Sequence, residues 1–286
     1  MRRLTLAALT GVLFVGATAC GSSSSGESGS GASKVAADSC KDKTLTTGKL
    51  TVATGQPSYS PWVIDDKPES GEGFEAATAY AVAAKMGFAP TEVTWVRSAF
   101  DAAIAPGLKS FDFNLQQYSI TPDREKVVSF SDPYYVGAQA LVTLGDSKFA
   151  GAKTVAELKS AKLGAATGTT SLDTINSVVK PEQAAAVFNT NEDAKAALVA
   201  NQIDGLVMDL PTAFGVAYGE LDNGAIPGQF PADSKLGGDR LALLFAKDSP
   251  LVGCANAALA ALKADGTMAA LDKQWLQGDN GVAVFG

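Results

Sequence analysis

The chain has no histidine among its 286 residues. Imidazole acid–base chemistry and the commonest metal ligand are therefore excluded. Cysteine is nearly as scarce, with Cys20, Cys40 and Cys254 only, and their spacing resembles no thiolate metal site. Acidic loops of the calcium-binding type are missing too. Basic residues never form a run. The 23 Lys and Arg face 30 Asp and Glu, a net charge of −7, so nucleic acid is not an expected partner. No internal repeat of fixed period occurs. The apolar run Leu4–Val15 is too short to span a bilayer as a stable anchor.

What is present begins with a leader. Met1-Arg2-Arg3 is a positive start, Leu4–Val15 is apolar, and small residues lead to Cys20, then Gly21 and four serines. Residues 1–19 read as an export signal. The cysteine reads as a bacterial lipoprotein cleavage site, which implies a lipid on Cys20 and anchoring to the outer face of the cytoplasmic membrane. An ordinary secretory signal is the alternative. The stretch 20–40 is mostly Gly- and Ser-rich, a composition that cannot bury a core and behaves as a tether. Without the leader the balance is 21 basic to 30 acidic, or −9. Cys40 and Cys254 then remain as an even pair in an oxidising compartment.

Strand-like and helix-like stretches alternate through the rest, which indicates an α/β sheet architecture. Leu50–Thr54 reads as a strand, followed by a loop, Gly55-Gln56-Pro57-Ser58-Tyr59-Ser60-Pro61-Trp62. Ligands bind at such strand ends. Tyr59 and Trp62 either pack on a ligand or anchor their own loop. Gly73-Phe74 opens a helix that stops near Gly87, and Phe100 opens another. The turn Ser119-Ile120-Thr121-Pro122-Asp123-Arg124 offers two hydroxyls, free N–H groups and a guanidinium fork suited to a carboxylate. A surface pairing of Arg124 with Asp123 or Glu125 is the plain alternative. Gly168-Thr169-Thr170-Ser171 marks a strand-to-helix junction, which is either a capped helix start or an anion site. Asp209, at the end of an apolar strand and just before Leu210-Pro211, either meets a cation or caps the next helix. Asp239–Ala246 reads as one strand, and Cys254–Ala264 as a helix.

In this order the motifs resemble the extracellular solute-binding proteins of polar-amino-acid ABC importers. The resemblance rests on Leu50–Trp62, Gly73-Phe74-Glu75, Ser119–Arg124 with Phe130–Tyr134, Gly168–Ser171, Met208–Pro211 and Leu262–Thr267. It implies a type II periplasmic-binding-protein-like fold, two α/β lobes joined by two hinge strands with the ligand in the cleft. Lobe 1 would comprise 41–136 and return over 239–286, and lobe 2 would be 137–238. Cys40 and Cys254 would both fall in lobe 1 and form a disulfide. The resemblance further implies that Arg124 clamps an α-carboxylate, with Ser119 and Thr121 beside it and Thr170 closing from lobe 2; Gln117 and Gly168 are further ligand-binding candidates. Asp209 would receive the α-ammonium, and Tyr59, Phe100 and Trp62 would line the cleft.

In such proteins an acid in the loop after the first strand tends to accompany cationic ligands. Gln56 stands there, next to the neutral Gln116 and Gln117. A neutral polar ligand, glutamine or asparagine, is therefore expected first. Glutamate or aspartate comes second, with Arg97 near Phe100 as the candidate second cation. Neither cofactor, metal nor catalysis is expected. ABC permease subunits are the implied partners and a monomer the implied state. A sensing lipoprotein or a dehydratase-like enzyme on the same fold are the alternatives.

Overall fold

Five residues, Leu50–Thr54, form β1. Parallel neighbours flank its edges, β2 (Val93–Arg97) on one side and β3 (Phe113–Asn114) on the other, and its residues are largely buried, as in the interior of a parallel sheet. Val52 sits opposite both Trp95 and Phe113. The structure is a computed structural model that describes residues 40–231, 239–276 and 281–286. The expected leader, the Cys20 anchor and the tether up to residue 39 lie outside the described residues.

Helix α1 (Phe74–Lys85) follows β1. Its start requires Gly73, whose φ is 102° and whose Cβ, if present, would lie 2.4 Å from the Trp62 carbonyl oxygen. Its buried face carries Phe74, Ala79, Val82 and Ala83 at helical spacing. Two short helices, α2 (Phe100–Ile104) and α3 (Pro122–Glu125), stand at the strand ends of this lobe. β4 (Val128–Phe130) and β12 (Leu244–Ala246) complete the first sheet, in the order β2-β1-β3-β12-β4, with β12 antiparallel to both of its neighbours.

The chain leaves this sheet through β5 (Tyr135–Gly137) and returns through β11 (Asp239–Leu241). These two strands pair antiparallel with Val136 opposite Arg240. Between them lies a second sheet, built from β6 (Gln139–Leu144), β7 (Leu163–Ala166), β8 (Ala186–Phe188), β9 (Gly205–Asp209) and β10 (Gly224–Gln229). Its order is β10-β6-β9-β7-β8. Helices α4 (Thr170–Thr174), α5 (Asn191–Val199) and α6 (Leu210–Phe214) follow β7, β8 and β9 respectively. Each lobe has its own core. Trp62, Phe74, Phe113 and Phe245 are fully buried in the first, and Leu141, Leu163 and Ile175 in the second. This is the two-lobed α/β fold the sequence implied, with two strands as the hinge.

Helices α7 (Val252–Ala264) and α8 (Thr267–Trp275) close the first lobe against α1. Cys254 on α7 is disulfide-bonded to Cys40, with Cα atoms 6.0 Å apart, a normal span for such a bond. Among the described residues no helix is long and apolar enough to cross a membrane.

Two sequence expectations about the return are corrected. Asp239–Ala246 is not one strand. β11 belongs to the hinge, the chain breaks at Ala242 and Leu243, and β12 enters the first sheet. Ala242 N–H donates to the Tyr118 carbonyl and Leu243 N–H to Ser131 Oγ, so neither continues a ladder. Residues 281–286 do not stay with the first lobe. Gln229 N–H donates to the Ala283 carbonyl and Phe285 N–H to the Gln229 carbonyl, beside β10. Phe285 is buried against Phe230, ring centroids 5.1 Å apart, and this apolar contact holds the segment on the second lobe.

Candidate ligand cleft

The Ser119–Arg124 turn places its groups by local capping. Thr121 is the N-cap of α3, its hydroxyl accepting the Arg124 N–H at 3.3 Å. That leaves the Arg124 side chain running back over the turn, where only 7 % of the residue is exposed. Its guanidinium donates to the Ser119 carbonyl at 2.7 Å and, across the cleft, to the Gly168 carbonyl at 2.8 Å. It also lies 5.4 Å from the centre of the Phe100 ring, which is itself stacked on Tyr118 at 4.7 Å. Burial lowers the Arg124 pKa, opposed by the charges of Asp239, Asp173 and Asp101.

The second lobe presents two strand ends. After β7, Thr169 caps α4 through Leu172 N–H, and Thr170 Oγ1 comes within 3.3 Å of Ser119 Oγ. Gly168 has φ +70°, and a Cβ there would meet Asp101 Oδ1 at 2.7 Å, so the two lobes approach closely here. After β9, Asp209 caps α6. Its Oδ1 accepts Thr212 N–H at 3.0 Å and both oxygens face the Thr212 hydroxyl, at 2.7 and 2.8 Å. Burial pushes the Asp209 carboxyl up to about 6. Thr212 thus engages both carboxylate oxygens, as the capping reading expects, and the residue also lines the cavity.

Tyr59, Phe100, Gln117, Ser119, Arg124, Thr170 and Asp209 all line one cavity of about 190 Å³ between the lobes. Three expected residues do not. Trp62 is fully buried, edge-on to Phe74 and Tyr135 with ring centroids 5.9 and 5.7 Å away, so its ring fills the core. Thr121 is spent on the α3 cap. Gly168 contributes only its carbonyl, to Arg124. The expected second cation, Arg97, is held away from the cavity by Asp66, Ser58 Oγ and the Gly55 carbonyl.

The wall also contains groups that the sequence did not reveal. Asp101, Gln139, Asn189 and Asn191 line it together with Gln56 and Gln116. Asn189 and Asn191 follow β8, whose three residues show no usable periodicity. Asp101 was legible only as the neighbour of Phe100. Gln139 opens β6 and accepts from Ser171 Oγ at 2.6 Å, while its amide donates to Asp239, the first residue of hinge strand β11. Tyr59 is pushed up to about 12 by burial, with Glu192 and Glu220 adding to the effect. No metal-ligating cluster is found among the described residues.

Two α/β lobes on a two-strand hinge, with charged groups of opposite sign facing one cavity from opposite sides, define a ligand-closing binding protein. The chain belongs to the bacterial extracellular solute-binding proteins, family 3, which match residues 50–278. It is 31% identical over 215 residues to "ABC transporter arginine-binding protein 1" of Escherichia coli (strain K12), covering 71% of this chain and 81% of that one. The solved structure of "An ancestral arginine-binding protein bound to arginine" matches with a TM-score of 0.65 and 29% identity, over 80% of this chain and 98% of that one. That of "An ancestral arginine-binding protein bound to glutamine" matches with a TM-score of 0.66 and 29% identity, over 80% and 97%.

Proposed function

We propose that the protein binds a polar amino acid as its zwitterion and delivers it to the permease of an ABC importer, held outside the cell by a lipid on Cys20. The observation that carries this reading is the placement of Arg124 and Asp209, from opposite lobes, on one cavity. Arg124 suits the α-carboxylate, supported by Ser119 and Thr170. Asp209 suits the α-ammonium. A ligand touching both lobes binds the closed form better than the open one, and a transporter can recognise that form. Apart from Asp101, the other polar wall groups are amides and hydroxyls, which suits binding rather than catalysis.

The side chain follows from charge. A zwitterion offsets Arg124 and Asp209, which leaves Asp101 in the wall. A cationic side chain such as that of arginine matches this residue, and the Tyr59 and Phe100 rings provide cation–π faces. This order reverses the one taken from Gln56, Gln116 and Gln117. Glutamine is the second reading, favoured by the amides of Gln56, Gln116 and Asn189.

The test is calorimetric titration of the purified protein with arginine, glutamine, glutamate and histidine. Arginine should bind tightest. Tighter glutamine would restore the neutral reading, and no binding by any amino acid would overturn the function.

A further inference from the structure

One acid beneath the cleft has no part in holding the zwitterion. Glu75, in the first turn of α1, is 1 % exposed. Its Oε1 accepts the Gln117 N–H at 2.8 Å and the Tyr134 hydroxyl, and its Oε2 accepts the Gln117 side-chain amide. All three partners are neutral donors directed at the carboxylate.

These partners are not scattered. Gln117 lines the cavity two residues before Ser119, and its backbone is left-handed at φ +50°, a conformation that costs free energy outside glycine. Glu75 holds that residue by both its main chain and its side chain. Tyr134 directly precedes β5, where the chain enters the hinge. A single buried carboxylate therefore connects the ligand-facing turn, the first helix and the start of the hinge.

We infer that Glu75 is a positioning residue for the ligand: ionised, it locks Gln117 in its cleft-lining conformation and ties that turn to Tyr134, and protonation releases the lock. The inference rests on the amino-acid reading of the cleft. A proton on Oε2 puts an O–H against the Gln117 side-chain N–H, and one on Oε1, which the Tyr134 hydroxyl can accept, still weakens the acceptor of the Gln117 backbone N–H. The titratable groups facing Glu75 are Tyr134 ahead of the hinge, Tyr118 in the binding turn and Asp209 at the end of β9. Burial, reinforced by the Asp209 charge, pushes Glu75 up to about 7 against the three hydrogen bonds that lower it. The proton would thus exchange near neutral pH, and ligand affinity would fall as pH drops through that value.

The test is calorimetry with arginine and with glutamine at pH 6, 7 and 8 on the wild type, Glu75→Gln and Tyr134→Phe, with circular dichroism to verify folding. The wild type should bind about tenfold more weakly at pH 6 than at pH 8. Glu75→Gln should bind roughly tenfold or more weakly at pH 8, and its loss of affinity toward pH 6 should shrink to the part that Asp209, raised to about 6, contributes. Tyr134→Phe should move that step to higher pH, because the carboxylate has lost a donor. A flat wild-type profile, or an unchanged step in Glu75→Gln, overturns the role of Glu75. If Glu75→Gln does not fold, an unmoved step in Tyr134→Phe overturns it. A wild type that binds neither ligand at any pH overturns the amino-acid reading and this role together.

Discussion

The indole N–H of Trp62, in the first lobe, donates to the hydroxyl of Thr212, in the second, across 2.7 Å. The same hydroxyl faces the Asp209 carboxylate at 2.7 Å. The hydroxyl can accept from the indole and donate to the acid at once, so a core residue of one lobe supports the Asp209 carboxylate, the group proposed to meet the α-ammonium, without touching the cavity. Trp62→Phe keeps an apolar ring but leaves this buried chain one donor short, a loss of ~1–2 kcal/mol. Calorimetry should show a roughly fivefold to thirtyfold weaker ligand. Unchanged affinity would mean that the open form keeps the same bond.

Arg124→Ala should abolish measurable amino-acid binding while the circular dichroism spectrum is retained. A buried charge pair broken on one side costs about 2–5 kcal/mol. Arg124→Lys should recover little, because an ammonium cannot hold the Ser119 and Gly168 carbonyls and a ligand carboxylate in one plane. Wild-type affinity in Arg124→Ala would remove the residue from the site.

Asp209→Asn should weaken amino acids strongly and analogues lacking the α-ammonium much less. The amide still offers an oxygen to Thr212 N–H, so the α6 cap survives and the loss reports the missing charge. Equal losses for both ligand types, measured side by side, would show that Asp209 serves only as a cap.

Stability and affinity should respond to pH in opposite directions. Burial raises Glu75 to about 7 and Asp209 to about 6, both above the ordinary carboxylate range. Between the ordinary and the raised values the folded state holds more protons than the unfolded chain. The stability from these two groups is complete in acid and is lost as pH rises through about 6 and then about 7. The slope is roughly 1.4 kcal/mol per pH unit for each proton difference. Melting of the ligand-free protein should therefore lose stability from pH 5 to pH 8, whereas the stabilisation added by ligand should grow. A ligand-free midpoint that rises over this window would contradict the burial of both carboxyls.

Replacing Cys40 and Cys254 with serine should lower stability substantially. The bond closes a loop of 214 residues, and the chain-entropy account puts such a closure at roughly 5 kcal/mol, with engineered cases often giving less. Chemical denaturation of the double variant against the oxidised protein measures it. Equal midpoints would show that the bond does not constrain the unfolded chain.

Much of the cavity wall was legible because its motifs are local. The hydroxyls, proline and arginine of Ser119–Arg124 are covalent neighbours, and a capped turn aims them with little help from the rest of the fold. The Thr169-Thr170 and Asp209 strand ends are likewise written in three or four adjacent residues. What was not legible depended on distant partners. Trp62 and Tyr59 occupy the same Pro-rich loop, yet one ring faces the core and the other the cavity, and only Phe74, Tyr135 and Thr212 decide which. Arg97 looks free in sequence but is held by Asp66, 31 residues away.

The sequence by itself determined the alternation of strands and helices and the capped turns at the strand ends, and the order of its motifs carried the family resemblance that implied two lobes. Periodicity, glycine and proline stops, and capping all act within a few residues. Tertiary structure alone decided that Asp101 enters the wall, that Glu75 lies beneath Gln117, and that residues 281–286 cross to the second lobe. Each of these depends on burial and pairing between segments far apart in the chain, and such free energies exist only once the lobes have packed.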